Sequence, residues 1–371
     1  MKLIIPETVS DAVLTATNVA ETLSAHAAGT SYAVADRVRR DSNHHAYEAL
    51  AAQASASFTV TIANPGVIMH TAHGLAADTA VMLATTGALP TGLAAGTTYY
   101  VRNPTTDNYE LAEVAGGNSI NTTGSQSGTH SVNRSLDDPA QWLDLGPTNR
   151  WGMFDSEYGT ITTNADTIEV TIVPDGRLTG LALFNLNAAS VQVTMTDAID
   201  GVVFDESFSL VDNSNVANIY DYLFAPLIRK TKLKVEDLPP YVGADIDVVI
   251  DNTGGTAQCG NLVPGYVRET GTTIYGSGVG FISASRKEET GYGGITITPR
   301  GTRASATLEV VVNERMVDEV YRLIKEREAL PTVFIGTGNY ESTLIYGFVR
   351  NMQLPLASNQ TTLTLDIESL I

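Results

Sequence analysis

Trp142-Leu-Asp-Leu-Gly-Pro-Thr-Asn-Arg-Trp-Gly-Met-Phe-Asp155 holds both tryptophans of the chain, Trp142 and Trp151, around a Gly-Pro-Thr-Asn turn. The sequence before it is small, turn-rich and low in charge. After it come longer β-type runs and one long helical pattern. The stretch therefore reads as a joint, with Asn149, Arg150 and Trp151 turning the chain out of an N-terminal module and into the body. A guanidinium beside an indole can stack on it, and Asp144 or Asp155 is a candidate partner for Arg150.

Upstream, Thr30-Ser-Tyr-Ala-Val-Ala-Asp-Arg-Val38 alternates as a half-buried strand does, and His44-His-Ala-Tyr-Glu-Ala-Leu50 follows an Asp41-Ser-Asn turn. Tyr32, Val34 and Val38 are expected to face Tyr47 and Leu50 across a small hairpin. From residue 58 to 132 the composition shifts to Thr, Gly, Ala and Val. Strand candidates come quickly there, at 58–62, 67–70, 80–84, 97–102 and 108–112, which predicts a small barrel or sandwich. Asp137-Asp-Pro-Ala-Gln-Trp142 then resumes the interrupted pattern.

Two resemblances meet in this region. Tyr32, Asp36-Arg-Val38, Tyr47-Glu-Ala-Leu50 and Pro139-Ala-Gln-Trp142 resemble the aromatic pattern of chitin-binding modules, which implies a glycan site at Tyr32, Tyr47 and Trp142. The pattern departs where such modules place a tryptophan before the tyrosine; here Ser24-Ala-His-Ala-Ala28 stands in that place. The inserted block carries Thr71-Ala-His-Gly-Leu75, Gly87-Ala-Leu-Pro-Thr-Gly92, Gly96-Thr-Thr-Tyr-Tyr-Val101 and Gly124-Ser-Gln-Ser-Gly-Thr-His130. It is similar to a β-barrel module of bacteriophage tail and fibre proteins, whose shape resembles the first catalytic-cysteine half-domain of ubiquitin-activating enzymes. The block has no cysteine, so only the shape carries over. Trp142–Asp155 resembles the segment that follows such modules in phage virion structural proteins.

Downstream, Asp166-Thr-Ile-Glu-Val-Thr-Ile-Val173 alternates cleanly, and strands at 179–186, 190–195, 202–210, 232–235 and 245–250 predict an antiparallel sandwich. In the last third, Asn313 is placed to cap a helix whose apolar stripe is Met316, Val317, Val320, Tyr321 and Ile324, and Pro331 stops it. Strands on either side of that helix, with Leu344-Ile-Tyr-Gly-Phe348 and Leu363-Thr-Leu-Asp-Ile-Glu-Ser-Leu370, resemble the C-terminal part of phage tail-tip and baseplate proteins. The expected fold is mainly β and multi-domain. It comprises a small N-terminal β module and joint (1–57 with 133–157), an inserted β-barrel (58–132), a central antiparallel β-sandwich (158–264), and a C-terminal β-rich domain with one helix (265–371).

A chain of 371 residues is too long for one ordinary core. Its 22 Lys and Arg against 41 Asp and Glu give a net charge of −19. That balance argues against a nucleic-acid partner, which needs phosphates neutralised, and against an anionic membrane surface. No run is long and apolar enough to span a bilayer, so no membrane insertion is expected. One cysteine, Cys259, permits no internal disulfide and fits synthesis in a reducing cytoplasm.

Reactive groups are sparse. His70 and His73 lie in a β-turn context whose spacing is not expected to bring them together, so no metal is expected. Cys259 has no histidine after it in the chain, and a buried structural thiol is the expectation. Gly336-Thr-Gly338 lacks the third glycine of a dinucleotide loop. Glu288-Glu289 and Asp137-Asp138 are adjacent carboxylates, which along a strand point to opposite faces instead of bracketing a substrate. The sequence thus predicts a protein that is not an enzyme and uses no cofactor. The resemblances imply a structural component of a tailed-phage virion (tail, baseplate or fibre attachment), assembled in the host bacterial cytoplasm as a symmetric homo-oligomer with other virion proteins. The alternative is a tail-tip protein that recognises a host-surface glycan.

Overall fold

In a computed structural model, every residue is described except 157, 158, 213–216, 225, 227, 290–292, 339, 356–359 and 371. The fold is mainly β, as the sequence leads one to expect, and contains a closed six-stranded barrel. The chain divides into two compact units, Glu21–Thr148 and a body made of Met1–Ala20 with Asn149–Ile371.

In the body, alternation does what the sequence predicts. Along Thr162–Ile172 the side chains of Ile168, Val170 and Ile172 are buried, and they pair in register with Ile250, Val248 and Ile246 of Asp245–Cys259. A five-stranded antiparallel sheet runs Gly201–Ser209, Ser190–Asp197, Asp245–Cys259, Thr162–Ile172, Leu14–Thr17. Its inner face shares one core with Leu181, Leu183 and Leu262, which belong to a second sheet, and with Trp151 and Met153. This is a sandwich whose inner residues alternate with outward polar ones.

The second sheet is larger than the sequence suggests. Ten strands form it, in the order Leu233–Val235, Gly180–Phe184, Asn261–Glu269, Lys2–Pro6, Thr332–Ile335, Leu344–Gln353, Gln360–Ser369, Thr302–Asn313 and Thr272–Thr273, with Gly278–Ser283 also on Thr302–Asn313. The N-terminal strand lies in its middle. Leu3 pairs with Arg268 on one side and Phe334 on the other, so residues 158–264 and 265–371, expected as separate domains, share one hydrogen-bonded sheet. Residues 1–20 accordingly belong to the body and not to the expected N-terminal module. The expected start of the body at residue 158 lies outside the described residues.

One helix covers the far end of this sheet. Asn313 caps it, its side-chain oxygen accepting from the Arg315 N–H at 3.1 Å, and a 3-10 turn at Glu314–Met316 leads into Val317–Glu326. Val317, Val320 and Ile324 pack on Leu3, Leu308, Val310, Leu363 and Leu365. Tyr321, expected in the stripe, is exposed, with the Lys325 ammonium 5.9 Å from its ring centre.

In the other unit the barrel closes through His130–Arg134, where Val132 pairs with both Ala56 and Leu83. Its remaining strands are Ala56–Val60, Val67–Met69, Asn108–Ala112, Thr98–Arg102 and Ala80–Thr85. The insert therefore spans 56–134, slightly wider than 58–132, because its first and last strands must reach far enough to pair with each other. Closure leaves no free strand edge. The module that carries the barrel is a three-stranded sheet, Arg37–Arg39, His45–Ala49 and Trp142–Pro147. Val38 pairs with Tyr47 as expected, whereas Val34 and Leu50 are exposed.

Truncation of the central strand should cost the whole body. We expect Leu3→Ala and Ile4→Ala each to lower stability by about 2–5 kcal/mol. Ile199→Ala, at an exposed turn of the same unit, should stay within about 0.5 kcal/mol. Urea denaturation checks this, and equal losses at Leu3 and Ile199 would contradict the central placement.

Candidate functional site

The three aromatics expected to meet a glycan are instead the core of the small module. Tyr32, Tyr47 and Trp142 are buried with Val38, Ala49 and Leu136. Tyr32 stacks on His26 and meets the edge of Trp142, with ring centres 5.3 Å apart in both cases. Its hydroxyl accepts from the Ala27 N–H at 2.8 Å. The Arg40 guanidinium lies 5.0 Å from the centre of the Tyr47 ring, whose hydroxyl accepts from Asn43. With their faces occupied by protein, these rings offer no stacking surface to a sugar. A three-stranded sheet has too little apolar area to fold without them, which is why they turn inward.

At the joint, Asn149 is a local lock. Its amide donates to the Thr163 carbonyl and its oxygen accepts from the Thr163 N–H, both at 2.9 Å. Trp151 is buried in the sandwich core and lies 5.9 Å from Phe154, ring centre to ring centre. The division between the two units falls between Thr148 and Asn149. Arg150 makes no ion pair among the described residues, and Asp144 is held instead by His45 Nδ1 at 3.0 Å.

Of the groups that could do chemistry, several are committed to structure. Cys259 is fully buried, and burial pushes its thiol up, away from the reactive thiolate. Burial opposes ionisation of Asp137, but the Thr98 hydroxyl at 2.8 Å and the Arg40 guanidinium at 2.7 Å hold its carboxyl below the usual range. Asp138 pairs with Arg134 at 3.1 Å. Glu288 and Glu289 each pair with the basic residue two positions earlier on their own exposed strand.

His70 and His73 depart from expectation, for they are brought together. Val67–Met69 ends at His70, whose N–H donates to the Asp107 carbonyl, and Asp107 Oδ1 accepts from the Ala72 N–H at 2.9 Å. Ala72 and Gly74 take left-handed conformations, φ 51° and 60°, which fold the turn back on itself. The imidazole centres end 5.6 Å apart, and both pack on the Tyr109 ring. Spacing alone missed this, since it takes two positive-φ residues to curl the turn. The signal in the sequence is the glycine after His73. Both rings line a cleft of about 250 Å³ with Gln53, Asn133, Arg134 and Gln141. Burial, then the neighbouring His73, pull His70 below the usual imidazole range. No group of three or more His, Cys, Asp or Glu side chains among the described residues is arranged to hold a metal.

A second surface lies in the body. Among the described residues, strand Gly278–Ser283 pairs only with Thr302–Asn313, and beyond it Arg286–Glu289 and Ile295–Thr298 pair with each other as a separate ribbon. Every described residue from Gly278 to Arg303 is exposed, including Phe281 at 74% and Ile297 at 66%. This arm carries Arg286, Lys287, Arg300 and Arg303 against only Glu288 and Glu289, on a chain of net charge −19.

His26 gives the N-terminal unit a pH dependence. Burial, aided by Arg40 and opposed by the Arg134 backbone, lowers its pKa to about 4 from an ordinary 6.5. The unfolded chain thus binds a proton that the folded one refuses. The contribution is complete above pH 6.5 and is lost as the pH falls toward 4. Discounted for partial exposure, it amounts to about 2 kcal/mol. His26→Phe should remove this slope from urea midpoints compared near pH 7 and near pH 4.5; an unchanged slope would contradict the assignment. No protein-family model and no curated protein matches the chain, so the reading of its surfaces rests on their own geometry.

Proposed function

We propose that the chain is a structural component of a tailed-phage virion, in the tail, baseplate or fibre attachment, and that it acts by assembling with copies of itself and with other virion proteins. The observation that supports this reading is the arm from Gly278 to Arg303. A two-stranded ribbon is marginal in water without a third layer, yet this one exposes Ile295 and Ile297, and the neighbouring strand Gly278–Ser283 exposes Phe281 and Ile282. Exposed apolar side chains gathered on one projecting segment mark an interaction surface. The excess of cations on the arm complements the acidic surface of another copy, and contacts from one patch to a different patch build rings or filaments. The short helix Ile219–Phe224 adds a further set, since Ile219, Tyr220, Tyr222, Leu223 and Phe224 are all exposed. Assembly through such contacts needs no reactive group, which agrees with the carboxylates and thiol being tied up in structure. The resemblances of residues 58–155 and of the last third of the chain to phage tail proteins supply the particle.

Sedimentation and electron microscopy of the purified protein should show a symmetric oligomer. The double variant Phe281→Ser, Ile297→Ser should be monomeric, with a denaturation midpoint within about 0.5 kcal/mol of the parent because both side chains are exposed. A parent protein that stays monomeric at high concentration and is missing from purified virions would sink the proposal.

A further inference from the structure

We infer that the cleft beside His70 and His73 is a binding site for one uncharged, hydroxylated molecule of about the size of a single sugar ring. Three side chains that line it each keep a buried polar atom without a protein partner: Gln53 Oε1, His70 Nδ1 and His73 Nε2. Buried polar groups are nearly always hydrogen-bonded, so a cluster of orphans beside a cavity points to something that fills it. Gln53 is the most telling. It is 5% exposed and lines the cleft; its amide nitrogen donates to the Gln141 carbonyl, and its oxygen is left over.

The donor and acceptor pattern narrows the ligand. His73 Nδ1 accepts from the Leu75 N–H at 2.9 Å, so it carries no proton and Nε2 must carry one. The cleft therefore presents a donor at His73 and an acceptor at Gln53. A hydroxyl group can answer both; a carboxylate has no proton to give Gln53. Arg134 does not reverse this preference, because its guanidinium is already paired with Asp138. A metal fits poorly as well. A ligating imidazole normally donates from its other nitrogen, whereas His73 accepts there. Between the polar groups the walls are Ala52, Ala56, Leu75, Val81 and Val132, which suit the C–H faces of a ring. The volume, about 250 Å³, is below the range of drug-sized pockets and excludes an oligomer bound along its length.

This site is distinct from the buried trio of Tyr32, Tyr47 and Trp142, and its use does not depend on assembly through the arm. Equilibrium dialysis of the full chain against labelled glucose, galactose and N-acetylglucosamine, with acetate, phosphate and Zn²⁺ in parallel, tests it at any oligomeric state. At least one sugar should bind saturably with a Kd of about 1 mM. Gln53→Leu and His70→Phe should each weaken that binding about tenfold, as expected for one lost hydrogen bond, in protein that still unfolds in a single cooperative transition well above the assay conditions. Three results would overturn the inference: no saturable binding of any of the sugars, which leaves the cleft holding water only; sugar binding unchanged in both variants; or preferential binding of acetate, phosphate or Zn²⁺ that these variants abolish.

Discussion

The body depends on one strand of five residues. Lys2–Pro6 hydrogen-bonds along both of its edges, to Asn261–Glu269 and to Thr332–Ile335. Its alternation sends Leu3 into the core beneath the helix and Ile4 into the cluster with Phe184, Val333 and Tyr346 on the opposite face. Without it, two sheet halves would each present an unpaired central edge and two half-built cores. Gly265, opposite Pro6, shows how close the fit is: a Cβ there would lie 2.2 Å from the Ile5 carbonyl oxygen. Buried backbone groups must be paired, so this strand has to be in place before either half is complete. Contacts spanning more than 250 positions of sequence make that a slow, non-local step in folding.

The same demand for paired edges is met differently elsewhere in the chain. The barrel closes on itself around a core that includes Phe58, Tyr99 and Tyr109. The arm does not close. Among the described residues, its strand Gly278–Ser283 has one partner and an open edge, and the ribbon beyond it has no layer to pack on. Natural proteins blunt open edges with charge and twist. Here Arg286, Lys287, Glu288 and Glu289 provide the charge, but Phe281, Ile295 and Ile297 leave apolar surface beside it. An edge that is charged and also apolar discriminates between partners instead of excluding all of them.

Strand alternation and turn residues made much of this architecture legible. Asp166–Val173 reads directly as a half-buried strand, five barrel strands fall within a few residues of their expected places, and Asn313 caps the helix as its position suggests. What pattern cannot supply is which strands meet across long distances. Nothing in Met1–Pro6 says that it pairs at residue 268 and at residue 334. Nor does period-two alternation distinguish a strand that is covered from one that is not: Gly278–Ser283 and Thr302–Asn313 look equally apolar, and only the second has a core. The site residues divide along the same line. Aromatic spacing found Tyr32, Tyr47 and Trp142 as a group, but a sequence motif does not reveal on which side of a three-stranded sheet its rings lie.

His70 and His73 illustrate the opposite error, in which a plausible local rule hides a contact. In an extended strand, residues three apart diverge, and that is correct for ideal geometry. The turn at Ala72 and Gly74 breaks the rule, and Asp107 holds the break in place through its carbonyl and its carboxylate. Positive φ at an alanine costs free energy, so a turn that keeps it is being held by its surroundings. Here those surroundings are also what orient two imidazoles toward a cleft. The strained turn and the unpaired polar atoms are two costs incurred at one place. Packing alone explains neither, because a Leu or Phe at position 73 would fill the space beside Tyr109 without orphaning a nitrogen. A cost that packing could have avoided is best accounted for by what occupies the cleft.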